Sequence, residues 1–166
     1  MIHRIVILAA AIAMATVNAS GAAPSLDSAS ASFLADAQGQ ALGAYAIASL
    51  AEQRASAGAV RQLARKTVAS TTQANDFITQ FARQHGAKLP NKAATLDTLQ
   101  YSSLSDLHGS AFDARFLERI HMDALIATDA YATYARSGRN PQLAAFAKHQ
   151  LAAIRSVASQ SSALQK

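Results

Sequence analysis

Residues 112–134 read FDARFLERIHMDALIATDAYATY, and the spacing of their apolar side chains decides the fold class. Phe112, Phe116, Ile120, Ala124, Ala127, Tyr131 and Tyr134 advance by steps of four and three, which places them on one stripe of an α-helix. The run starts after Gly109, continues to about Ser137 and is closed by Gly138, a residue that readily ends a helix. Directly beyond it, Asn140-Pro141 supplies a capping oxygen followed by a proline at the first helical position, where the missing N–H would have had no partner in any case. Ala144, Ala147, Leu151, Ile154 and Ala158 carry that next helix nearly to Lys166.

Two more stripes lie upstream. Leu34, Ala37, Ala41, Ala44, Ala48 and Ala51 define a first helix from about Phe33, broken at Ser56-Ala57-Gly58. Val60, Ala64, Thr67, Thr71, Ala74, Ile78 and Phe81 define a second, which ends at Gly86 with Pro90 just beyond. Between Ala87 and His108 the pattern weakens, with Leu96 and Leu99, then Leu104 and Leu107, indicating short helical turns in a long connection. No segment alternates as a strand does. Connections that run short, long, short predict an all-α four-helix bundle with one long crossover between the second and third helices, the connectivity of ferritin-like folds. The stripes are poor in bulky residues, so Phe33, Phe77, Phe81, Phe112, Phe116, Phe146 and the tyrosines are expected to supply most of the core volume.

The N-terminus has the pattern of an export signal. Arg4 precedes an uncharged run from Ile5 to Val17, and Val17-Asn18-Ala19 and Ser20-Gly21-Ala22 offer small residues where a signal peptidase reads. Residues 1–22 are therefore expected to be a signal peptide cleaved near Ala19 or Ala22, residues 23–32 a flexible Ala/Ser-rich leader, and residues 33–166 a single domain. The apolar run is shorter than the roughly 20 residues a spanning helix needs, and no later segment qualifies. With no cysteine in the 166 residues, a lipidated N-terminal cysteine, disulfides and thiolate metal sites are excluded. The expected location is periplasmic or secreted. The net charge of +5 is mild and falls to +4 without Arg4. Arg61 with Arg65, and Arg115 with Arg119, form two short basic edges at i,i+4 spacing, suited at most to weak binding of an anionic surface. Export argues against a nucleic-acid partner.

A carboxylate-bridged metal pair in such a bundle takes a Glu from each of two helices and a Glu-x-x-His pair from each of the other two. Beyond the signal the chain has only Glu52 and Glu118. Glu118-Arg119-Ile120-His121 is a single Glu-x-x-His, but the third stripe leaves Glu118 on the solvent side and His121 beyond its margin. His85 suits the negative end of a helix, and His108 and His149 have no partner spaced for shared ligation. Neither a Gly-x-Ser-x-Gly elbow nor a phosphate-cradling glycine loop occurs. Thus no catalytic, cofactor-binding or metal residue is assigned, and no cofactor is expected.

Phe33-Leu34, Leu50-Ala51, Val60-x-x-Leu63-Ala64, Leu89-Pro90, Leu107-x-Gly109-x-x-Phe112-Asp113-x-x-Phe116 and Ala147-x-x-x-Leu151 together resemble the exported bacterial proteins grouped as domain of unknown function 4142. The resemblance spans residues 32–158, and its most specific piece is Gly109 to Phe116, similar to the family's Gly-x-x-Phe-Asp-x-x-Tyr. It implies a ferritin-like helical bundle and no agreed activity. The departures concern polar residues. The family's Met-Val-x-Asp-His on the second helix reads Thr67-Val68-Ala69-Ser70-Thr71 here. A comparable histidine on the third helix falls at Ala124, although Asp123 before it is retained, and the last residue of Leu-Pro-x-Leu-x-x-His on the fourth falls at Val157. The acidic residues usual in the first helix correspond to Ala44 and Ala46. A polar interior exchanged for plain packing is the expectation.

Two functions compete at this level. One is a non-enzymatic envelope bundle acting by contact with a protein, the envelope or itself; the other is a metal-binding ferritin-like oxidoreductase or storage protein using Glu52, Glu118, His121 and aspartates. On the export reading, the N-terminus of protein recovered from the periplasm is Ser20 or Ala23 by mass spectrometry. Recovery of a chain that still begins at Met1 overturns that reading.

Overall fold

The computed structural model describes residues 25–91 and 101–166, so the expected signal peptide and the Leu96–Leu99 turn lie outside the described residues. Among the described residues all regular structure is helical. Four long helices run Ser28–Arg54 (α1), Gly58–Gln84 (α2), Gly109–Ser137 (α3) and Pro141–Leu164 (α4), and residues 101–105 add a helical turn before α3. No described helix is long and apolar enough to cross a membrane.

The packing is extensive within the pairs α1–α2 and α3–α4, and lighter between α1 and α3 and between α2 and α4. One core cluster joins the start of α1, the end of α2, the end of α3 and the start of α4, through residues such as Phe33, Phe81, Tyr134 and Phe146. The other joins the end of α1 to the starts of α2 and α3, through Ile47, Leu63, Phe112 and Phe116. Hence α1 and α4 point one way and α2 and α3 the other, and the connection from α2 to α3 runs the length of the molecule. Leu104 is buried in that connection, and the Arg54 guanidinium donates to the Ser105 carbonyl, fixing it to the end of α1.

Most helix ends lie where the sequence places them. The Asn140 side chain accepts from the Gln142 and Leu143 N–H groups at 3.1 and 3.0 Å, with Pro141 at the first helical position. Gly86 adopts φ +63°, which lets the Ala87 N–H turn back to the Ala82 carbonyl at 2.9 Å. The His85 ring stacks on Phe81 and its Nδ1 donates to the Phe81 carbonyl at 2.9 Å. At Gly138 a Cβ would lie 2.5 Å from the Tyr134 ring, so only glycine fits that bend.

The start of α1 is a correction. The expected flexible leader of residues 23–32 gives way to helix at Ser28, five residues before Phe33. Asp27 caps it, accepting from the Ser30 N–H and hydroxyl, both at 2.9 Å. Ser30 is fully buried because its hydroxyl meets the Tyr134 hydroxyl at 2.6 Å, a partner 104 residues away. The Ser30 N–H and hydroxyl hold the Asp27 carboxyl below its ordinary value.

The turn between α1 and α2 depends on α3. Ala57, the N-cap of α2, offers no capping side chain. Asp113 supplies the cap from α3, accepting from the Ser56 N–H at 2.9 Å, the Ser56 hydroxyl at 2.6 Å and the Ala57 N–H at 2.8 Å. A carboxylate at a helix N-terminus also meets the positive end of the helix dipole. Burial opposes ionisation of Asp113, but these donors and the Arg61 charge outweigh it and lower its pKa below the ordinary 3.8. A lowered folded pKa adds stability above the unfolded value, and that stability is lost as pH falls through the folded value. Asp113→Asn is therefore expected to cost about 1–3 kcal/mol at neutral pH in urea denaturation. Its deficit relative to the parent chain shrinks below about pH 4, whereas a deficit that stays constant down to acid unfolding sinks the assignment.

Candidate functional site

Between the two core clusters the helices present small side chains. Ala41 and Ala44 on α1, Thr67 and Thr71 on α2, Ala124 and Ala127 on α3, and Ala153 on α4 surround a cavity of about 130 Å³. The aromatic pairs at one end, Phe33 stacked on Tyr134 at 4.0 Å and Phe77 on Phe146 at 4.2 Å, hold the helices apart there. Phe112, Phe116 and Ile120 do the same at the other end. Alanine and threonine at the waist are too short to close the remaining gap.

The wall is chiefly apolar, with polar groups at defined points. Thr67 donates its hydroxyl proton to the Leu63 carbonyl at 3.0 Å, Ser70 to the Thr67 carbonyl at 3.1 Å, and Thr71 to the same carbonyl at 2.8 Å. These protons are committed to α2's own backbone, so the hydroxyls show acceptor lone pairs to the cavity. The Gln40 Oε1 is buried with no hydrogen-bond partner. Tyr131 and Gln150 also line the cavity, 4% and 8% exposed. Burial pushes the Tyr131 phenol well above its ordinary value, so it is neutral at all working pH. Asp123 is the wall's carboxylate, and Arg119 donates to it at 2.8 Å.

The family model described as Domain of unknown function (DUF4142) matches residues 15–164. The chain belongs to this family. No curated protein and no solved structure matches it. The three positions that the resemblance sets against histidines of the family pattern, Thr71, Ala124 and Val157, come from three helices and all line this one cavity. Ala44, at a usual acidic position of α1, lines it from the fourth. Plain packing was the expectation for these positions; the structure instead arranges them around a cavity. The most specific family motif has a different role, since its Asp113 is the cap of α2.

The residues weighed for a metal do not converge here. Glu118 is 62% exposed at its side chain and paired with Arg115 at 2.6 Å. His121 lies between α3 and α4, its Nδ1 donating to the Ala158 carbonyl at 3.0 Å beside the buried Ser161 hydroxyl. Glu52 is half-buried near the end of α1, and His149 is exposed on α4. Among the described residues no three of His, Asp and Glu come together. A donor set of one carboxylate already held by an arginine does not fit a di-metal centre. Three arginines of the two basic edges are also engaged: Arg115 and Arg119 pair with carboxylates, and Arg61 donates to the Ala55 and Ser56 carbonyls at 2.6 and 2.9 Å.

Small side chains at the waist leave apolar wall without packing partners. Ala44→Leu, which adds three carbons into the gap, is expected to raise stability by about 1–2 kcal/mol in urea denaturation. A destabilised but folded variant would show that the waist is closed in solution.

Proposed function

We propose that this chain is an exported, ferritin-like four-helix bundle of the cell envelope that performs no chemistry of its own and acts by binding another protein through α3. The signal-like pattern of residues 1–22 supports export, and the short, long, short connections with α2 and α3 running parallel support the ferritin-like description.

The contact reading is carried by one observation. Met122, Leu125 and Ile126 stand 51%, 46% and 59% exposed on consecutive turns of α3. Their i, i+3, i+4 spacing puts them on one face, so three large apolar side chains form a continuous patch rather than scattered exposures. Methionine within such a patch adapts its shape to a partner. The polar groups bordering it, Arg115 with Glu118 and Arg119 with Asp123, are internally neutralised. With exposed Asp129 one turn beyond Leu125 and Ile126, the rim carries no excess positive charge, which favours a protein over an anionic membrane surface.

A photo-crosslinking residue at Met122, introduced in the producing cell, is expected to yield one discrete adduct, which Ile126→Lys weakens at least about tenfold. The same probe at Thr72, exposed on α2, yields none. Equal labelling at both positions, or no adduct at either, overturns the reading.

A further inference from the structure

The cavity at the waist has a composition that says what would fill it. Its volume of about 130 Å³ is close to the ~150 Å³ of an engineered apolar cavity that takes up benzene. Its wall differs from that case in holding unsatisfied polar groups. The Gln40 Oε1 is sealed behind that wall with no partner, and neither the Gln150 amide nor the Tyr131 hydroxyl, both on cavity-lining residues more than nine-tenths buried, makes a hydrogen bond within the described chain. Polar groups set in an apolar wall favour an occupant that hydrogen-bonds to them over a purely apolar one.

We propose that this cavity is a binding site for a compact neutral molecule of the phenol class, one apolar ring bearing a hydroxyl. The ring matches the alanine-lined part of the wall, where Ala41, Ala44, Ala124 and Ala127 leave space. The hydroxyl matches the polar part: it donates to the Gln150 carbonyl oxygen or the threonine lone pairs, and accepts from the Tyr131 hydroxyl or the Gln150 amide. Anions are disfavoured because Asp123 stands in the wall and its neighbour Arg119 is already bound to it. Any charged ligand would also forfeit its hydration in an apolar interior. Ile126 belongs both to the wall and to the surface, so the cavity reaches solvent beside it. The site shares Ile126 with the contact patch on α3, but its hydrogen-bonding groups lie elsewhere, on residues of the waist.

The test is calorimetric titration of the purified full chain with phenol, toluene and benzoate, followed by amide NMR with phenol. Phenol is expected to bind with a dissociation constant on the order of 0.1–1 mM. Toluene and benzoate bind at least about tenfold more weakly. The phenol-induced shifts fall on amides at the waist, around Ala44, Thr71, Ala124 and Ile154. Ala44→Leu abolishes binding by occupying the space. Gln150→Leu, close in volume and safe for folding should Ala44→Leu fail, lowers the preference for phenol over toluene. The proposal is overturned by toluene binding as tightly as phenol, by no phenol binding at about 10 mM, by shifts spread over the surface, or by a phenol preference that Gln150→Leu leaves unchanged.

Discussion

The distance between helices in this protein is fixed at the two ends, and everything at the middle inherits it. Stacked aromatic rings at one end and the Phe112, Phe116 and Ile120 cluster at the other are rigid, well-packed spacers. Over the few turns between them a helix curves only gently, with a radius on the order of 60–100 Å, unless a kink breaks its hydrogen-bond ladder. The alanines at the waist therefore do not bring the backbones together, as an alanine seam running the whole length would. They leave the void instead, and the polar groups of Gln40, Tyr131 and Gln150 are held in its wall by helices whose positions were decided elsewhere.

Local signals made the helices legible in the sequence. Gly138, Asn140-Pro141 and Gly86 act within a few residues of themselves, and the ends of α2, α3 and the start of α4 fell where those residues put them. The start of α1 was missed because its Ala/Ser composition reads as a linker; the reason Ser30 is ordered is Tyr134, far away in the chain. Asp113 was visible as part of a motif, but not its role, because Ser56 and Ala57 lie more than fifty residues upstream. The cavity was half legible. The exchanged positions on three helices could be named from the family pattern, yet whether neighbours closed over them depended on side-chain volumes at both ends of the molecule.

The family motif and the family departures thus separate in space. Asp113 secures the turn between α1 and α2 and has to stay where it is for α2 to start. Thr71 and Ala124 belong to neither core cluster and Val157 only borders the one at the turn, so their identity bears chiefly on what the interior holds. Such an arrangement lets one scaffold carry different interiors, with the outward face of α3 varying separately again.

The cavity also sets where the folded protein yields. At the two ends close-packed rings resist deformation. At the waist small side chains surround about 130 Å³ of space and constrain their neighbours less. The middle of the molecule is where its mechanical softness is concentrated.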